Sequence, residues 1–223
     1  MRHGKQTINH PVRSEAQDSE ADGRCFSPSV ARNRSAIRDV FCQRMPSAGR
    51  VLEIASGTGE HGAYILEAVP ELSWTYSDVE PAALDSQRAW VRRAQTLRLD
   101  GPLVLDTRWP DWGIGEQRTP WQGLFCANMI HIAPFSAVQG LFSGAGRVLE
   151  SGGKLLLYGP FARSGHIAAS NAEFDAHLKH RDPDWGVRDL DTQVQPLAEA
   201  AGLQLQDVIE MPINNLCVLF CRR

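Results

Sequence analysis

The chain has 223 residues, 43% hydrophobic and 22% charged, which is enough to bury one sizeable core. A formal charge of −3 and an isoelectric point near 6.2 give no overall attraction to polyanions, so nucleic acid is disfavoured as a partner. No apolar run approaches the roughly 18 residues a membrane span requires, and the opening MRHGKQTINHPVRSEAQDSEADGR lacks the apolar stretch of a secretory signal.

Residues 1–24 carry almost no large apolar side chains and read as a flexible tail, with one domain over 25–223. Val30, Ile37, Val40 and Phe41 recur at helical spacing until Pro46 stops the pattern. Scattered arginines, Arg32, Arg34, Arg38, Arg92 and Arg93, read as solvated helix faces. Strand and helix then alternate: strand 50–55, helix 60–69, strand 72–77, helix 81–97 opened by Pro81, strand 101–105, strand 123–129, helix 136–150 and strand 154–158. That rhythm predicts a parallel sheet covered on both faces.

The end of the chain breaks the rhythm. Ser170-Asn171-Ala172-Glu173 has capping-box spacing before a short helix, and another helix holding Pro196 near its start leads to Ala201-Gly202. Strands 203–210 and 216–221 are joined by five residues, too few for a parallel crossover, so they form an antiparallel pair.

Chemistry concentrates in VLEIASGTGEHGAYI, residues 51–65. Gly57, Gly59 and Gly62 match the GxGxxG of dinucleotide-binding folds, and Asp78 follows at the distance of a ribose-binding acid. Those features suit a nicotinamide dinucleotide or another adenosine ligand equally. Glu53 and Glu60 argue against phosphate: a carboxylate inside an apolar strand wants a cationic or hydrogen-bonding partner, and Glu60 sits where helix N–H groups would otherwise bind phosphate. A ligand with an amino-acid end and no phosphates fits better.

The pattern Glu53-x-x-x-Gly57-x-Gly59, then Asp78, Asp106 and Asn128 after successive strands, resembles the class I methyltransferases that use S-adenosylmethionine. The stretches SPSVARNRSAI, LEIASGTGEHGAY, SDVEPAALDS, ANMIHIAPF, GPF, DPDWGVRDLD and MPINNLCVLF resemble, more narrowly, the methyltransferase-like family catalogued as domain of unknown function 938. The resemblance implies an α/β, Rossmann-like fold with a mostly parallel seven-stranded sheet whose last strand is antiparallel. It implies that Glu53 and the backbone of Ser56, Gly57, Thr58 and Gly59 receive the methionine part of S-adenosylmethionine. Asp78 would hold the ribose hydroxyls, Asp106 and Thr107 would lie beside the adenine, and Asn128 near the cofactor. Asn33 matches the family pattern before the first strand, where it reaches over the cofactor or lies on a surface helix face.

Methyl transfer from a sulfonium needs alignment and exclusion of water more than a dedicated base. His131, after the fourth strand, and Tyr158, closing the fifth, are the candidate catalytic groups, each with an ordinary packed, hydrogen-bonded role as its alternative. Residues 159–190 read as a lid over the acceptor pocket, with Phe161 and Trp185 as its apolar candidates. His166, His177 and His180 have no third partner at metal-ligand spacing, so no metal is expected. Trp109, Trp112 and Trp121 read as local packing rather than a stacking platform. Five cysteines, odd in number and without CxxC spacing, read as reduced thiols of a cytoplasmic protein, with Cys126, Cys217 and Cys221 acting as small hydrophobes. The expected activity is a methyltransferase acting on a small-molecule or peptide-like acceptor. A nicotinamide-dependent oxidoreductase and a non-catalytic cofactor-binding regulator stand beside it, and nothing in the sequence sets an oligomeric state.

Overall fold

The computed structural model describes residues 18–114 and 120–223. Helix α1 (Pro28–Arg44) buries Ile37 and Phe41 and ends where Met45 turns extended before Pro46. The alternation then follows: β1 (Ala48–Ile54), α2 (Glu60–Ala68), β2 (Glu71–Asp78), α3 (Pro81–Ala94), β3 (Leu99–Val104), β4 (Trp121–Ala127), α4 (Phe135–Val148), β5 (Leu149–Ala162) and α5 (Ala169–Arg181). After a π-helical turn over 190–194 come α6 (Gln195–Ala200), β6 (Leu203–Met211) and β7 (Asn215–Arg222).

The main path of the sheet runs β3-β2-β1-β4-β5-β7-β6, and β7 lies antiparallel to both of its neighbours while β1 to β5 pair in parallel. This is the seven-stranded, Rossmann-like arrangement the sequence predicts. A two-residue strand, Arg188–Asp189, adds to the far end of β5 at Phe161 and Ala162. Two cores cover the faces. One joins α4 and α6 to residues such as Leu52, Ile54, Leu155 and Val218, and the other joins α1 and α2 to Val51, Trp74, Tyr76, Phe125 and Leu156. Cys126 and Cys217 are buried in these cores, where burial pushes both thiols up, and Cys221 is half-buried.

Several local expectations give way to tertiary contacts. Asp18 and Ser19 pair with Phe26 and Cys25, so residues 18–24, read as tail, form a small hairpin. It is anchored from outside: Cys25 N–H donates to Ser86 Oγ at 2.9 Å, and the Arg24 guanidinium lies 4.8 Å from the Trp90 ring centroid. Ser170 does not cap α5; the N-cap position is Ala168, and Ser170 Oγ instead accepts from Asn214. Arg34 and Arg38 are not simply solvated. Arg34 pairs with Glu60, and Arg38 donates to the Tyr64 hydroxyl. β5 reaches 14 residues because its second half gains β7 as a partner through Pro160.

Among the described residues no helix is long and apolar enough to cross a membrane.

Candidate functional site

The strand order reverses beside β1, between β2 and β4, and a crevice at the carboxyl ends of strands at such a switch is where open α/β sheets bind ligands. A cleft of about 610 Å³ lies there, walled by Ile54, Ala55, Asp78, Val79, Asp106 and Thr107 on the β1 to β3 side. Met129 and Ile132 bound it beyond β4, and Trp109 and Trp185 bring two rings to it.

The glycine loop is fastened to the end of β2. Ser56 N–H donates to Ser77 O at 2.9 Å, Ser77 Oγ donates to Glu53 O at 2.6 Å, and Gly57 N–H donates to Asp78 Oδ2 at 2.9 Å. Gly59 takes φ +87° to start α2, and a Cβ there would lie 2.9 Å from Trp90 Cδ1, so the turn demands glycine twice over. Asp78 also accepts from Val79 N–H and Glu80 N–H, at 2.8 and 3.0 Å. Burial pushes its carboxyl up, against the pull of these backbone donors.

Glu53 lies under the loop with 2% of its surface exposed, and its Oε2 accepts from the indole N–H of Trp74 at 3.0 Å. Burial pushes its carboxyl up to about 8, with the Trp74 and Ser56 hydrogen bonds opposing and Asp78 reinforcing. No cation among the described residues forms an ion pair with it. Glu60 fills the start of α2: its carboxylate accepts from Ser27 N–H at 2.6 Å and from Thr58 Oγ1 at 3.3 Å, with Arg34 at 3.6 Å. Phosphate would meet a buried carboxylate at this helix end.

Asp106 and Thr107 sit together at the end of β3. Burial pushes Asp106 up, but hydrogen bonds and charge from Arg108 more than reverse this and hold it below the usual carboxylate range. Thr107 Oγ1 donates to Ala137 O at 2.9 Å, tying the loop to α4. Asn128 adopts φ +62°, donates its backbone N–H to Tyr158 O at 2.8 Å, and precedes the cleft residue Met129.

The other candidates stand apart from the cleft lining. Asn33 is half-buried on α1, its Oδ1 2.9 Å from His61 Nε2. Its amide also hydrogen-bonds Tyr158, which Asn215 reaches as well; burial dominates and raises the Tyr158 hydroxyl nonetheless. His131 lies beneath the turn after β4, 1% exposed, with neither ring nitrogen hydrogen-bonded among the described residues. Burial, assisted by Arg188, pushes its imidazole down to about 3, so it is neutral; its ring meets Phe161 edge-on with centroids 5.2 Å apart. His166, His177 and His180 are exposed.

Of the three tryptophans grouped together in the sequence, Trp112 and Trp121 are buried, but Trp109 is 47% exposed and lines the cleft. Nothing in its local sequence separates it from Trp112. Gln87 was also hidden: on the inner face of α3 its amide donates to Gly57 O at 3.0 Å and lies 3.5 Å from Asp78 Oδ2. Its signal is only a polar residue on a buried helix face.

A family model described as "Protein of unknown function (DUF938)" matches residues 24–222. The chain belongs to this family. Solved structures extend the likeness of this DUF938 protein to its fold. The mitomycin 7-O-methyltransferase MmcR superposes with a TM-score of 0.71 at 16% identity, over 87% of this chain and 54% of that one. An O-methyltransferase family 2 protein from Planctomyces limnophilus, in complex with apigenin, gives 0.70 at 16% identity, over 87% and 60%. Human N-acetylserotonin methyltransferase, in complex with S-adenosylmethionine, gives 0.69 at 11% identity, over 87% and 52%. The DUF938 chain thus spans a little over half the length of these structures and shares the class I methyltransferase fold with them.

Proposed function

We propose that the protein binds S-adenosylmethionine in this cleft and transfers its methyl group to a small-molecule or peptide-like acceptor. The observation that carries the reading is the charge arrangement around the glycine loop. Glu53 is buried with Trp74 and Ser56 as hydrogen-bond partners and no ion-paired cation among the described residues, Glu60 fills the helix end a phosphate would use, and Asp78 lines the cleft. A ligand bringing an ammonium for Glu53, hydroxyls for Asp78 and no phosphate satisfies all three groups.

In this reading the Ser56, Gly57, Thr58 and Gly59 backbone and Glu53 take the methionine end, with Asn33 above it. Asp106 and Thr107 flank the adenine, and Asn128 orients the turn that covers it. The bound cofactor supplies an activated methyl carbon, and the protein aligns the acceptor and excludes water. At the acceptor end His131 and Tyr158 are the candidate groups for the acceptor's proton: Tyr158 is engaged by Asn33 and Asn215, and His131 is neutral beneath the turn after β4. The binding of apigenin by one structural neighbour and the N-acetylserotonin activity named for another support a small acceptor here.

Calorimetry with S-adenosylmethionine, its demethylated product and NAD tests the binding step; heat with NAD alone would overturn the reading. Asp78→Ala is expected to weaken affinity for the demethylated product by about one to two orders of magnitude, because charge-assisted hydrogen bonds of this kind contribute ~1.5–3 kcal/mol. Unchanged affinity in the folded variant would remove Asp78 from the site. Transfer of a radiolabelled methyl group to fractions of cell extract separates an enzyme from a binding protein. With an acceptor in hand, His131→Ala is expected to lower turnover more than cofactor affinity; equal loss of both would assign His131 to structure alone.

A further inference from the structure

The turn after β4 makes one wall of the cleft through Met129, Ile132, Ala133 and Pro134, and the segment after α5 makes another through Asp182, Asp184 and Trp185. These two walls are fastened to each other through the backbone. Arg188 Nε donates to Ile130 O at 3.0 Å, Arg188 Nη2 donates to Ala133 O at 2.8 Å, and the same nitrogen donates to Asp184 O at 2.7 Å. Between these contacts, Gly186 N–H donates to His131 O at 3.0 Å. The guanidinium is buried, lies 5.5 Å from the Phe135 ring centroid, and pairs with no carboxylate among the described residues. Asp175 and Asp184 lend it charge from nearby, but its hydrogen bonds among the described residues go to backbone carbonyls, and a buried cation held in this way is a costly choice if the only task is packing, which an apolar residue would perform at less expense.

We infer that Arg188 is a positioning residue for the cofactor cleft, fixing the turn after β4 and the Trp185 segment at the separation at which both close on the adenosine part of the ligand. This rests on the proposed function. The planar fork reaches carbonyls from both walls at once, a geometry that the single ammonium of lysine cannot reproduce. Arg188 therefore sets cofactor affinity without touching the cofactor, and loss of the fork lets the Trp185 segment move away from Met129 and Ile132.

The test compares Arg188→Met, Arg188→Lys and a control, Val218→Ala, which opens the core on β7, remote in sequence from both walls. Each full-length variant is assayed for thermal midpoint, for affinity to the demethylated cofactor, and for hydrogen exchange at the Gly186 amide without ligand. Arg188→Met is expected to weaken affinity about tenfold and Arg188→Lys about threefold, the range in which residues remote from a ligand modulate its binding. Gly186 exchange is expected to rise in both, while Val218→Ala lowers the midpoint and leaves affinity unchanged. Unaltered Gly186 exchange in Arg188→Met overturns the fastening. Faster exchange with unchanged affinity overturns its role in the cleft, as does an equal loss of affinity in Val218→Ala. If wild-type protein gives no heat with the demethylated cofactor, the proposed function falls and takes the affinity claim with it; the exchange measurement still decides whether Arg188 fixes the two walls.

Discussion

Gly62→Ala is expected to destabilise the protein by about 1–3 kcal/mol through overpacking, even though alanine is the better helix former by ~1 kcal/mol. A Cβ at this position of α2 would lie 2.3 Å from Trp74 Nε1 and 2.6 Å from Tyr76 Cε1. Both rings are fully buried and neither can swing into solvent. Each also carries a hydrogen bond: Trp74 to Glu53, and Tyr76 through its hydroxyl to Gly59 O at 2.6 Å. One added methyl therefore overpacks the α2–β2 contact and disturbs both the acid under the glycine loop and the first turn of the helix after it. Urea unfolding reads the effect directly. A midpoint equal to or above that of wild type would show that α2 can shift outward freely and that Gly62 is not required for close packing.

Gly62 also marks how far the sequence could be read. Period and punctuation were enough for the alternating strands, the leading helix and the antiparallel end, because each is dictated by local apolar spacing and by the short link over 212–214. The buried acids beside the glycine loop are legible for a similar reason: Glu53 and Asp78 interrupt or end apolar strands, and an ionisable group there needs an explanation. The features that escaped are those made by residues distant along the chain. The hairpin over 18–26 is polar and has no local drive to form; it is held by Ser86 and by Ser27 N–H on Glu60. Trp109 and Trp112 are three residues apart in one loop, yet the second is seated on Gly140 and Gly144 of α4 while the first faces the cleft. Arg188, one of 23 lysines and arginines, has no local signal that sets it apart until the carbonyls around it are seen.

Glu53→Gln is expected to abolish a pH-dependent loss of stability amounting to about 2–4 kcal/mol between pH 5 and pH 8. In the unfolded chain this carboxyl ionises near 4.5, whereas in the fold burial holds its proton until about pH 8. Across that window the folded state binds more protons than the unfolded one, so stability falls as pH rises, by at most ~1.4 kcal/mol per pH unit, and levels off above the folded value. The contribution is fully present only below the unfolded value. Glutamine keeps an oxygen for the Trp74 N–H and does not titrate. His61, which burial pushes down to about 4, His131 and Asp78 titrate in both proteins, so to first order they cancel from the difference. The stability of Glu53→Gln relative to wild type should therefore climb steadily from pH 5 to pH 8, and parallel curves would mean that Glu53 is already ionised in the fold. The same proton links stability to the proposed ligand. An ammonium placed beside Glu53 favours the carboxylate, so binding of the demethylated cofactor at pH 7 should release a proton from wild type. The heat of binding should then depend on the ionisation enthalpy of the buffer in wild type and lose most of that dependence in Glu53→Gln. Equal buffer dependence in the two proteins would place the ligand's amino group away from Glu53, leaving the buried acid to Trp74 and Ser56.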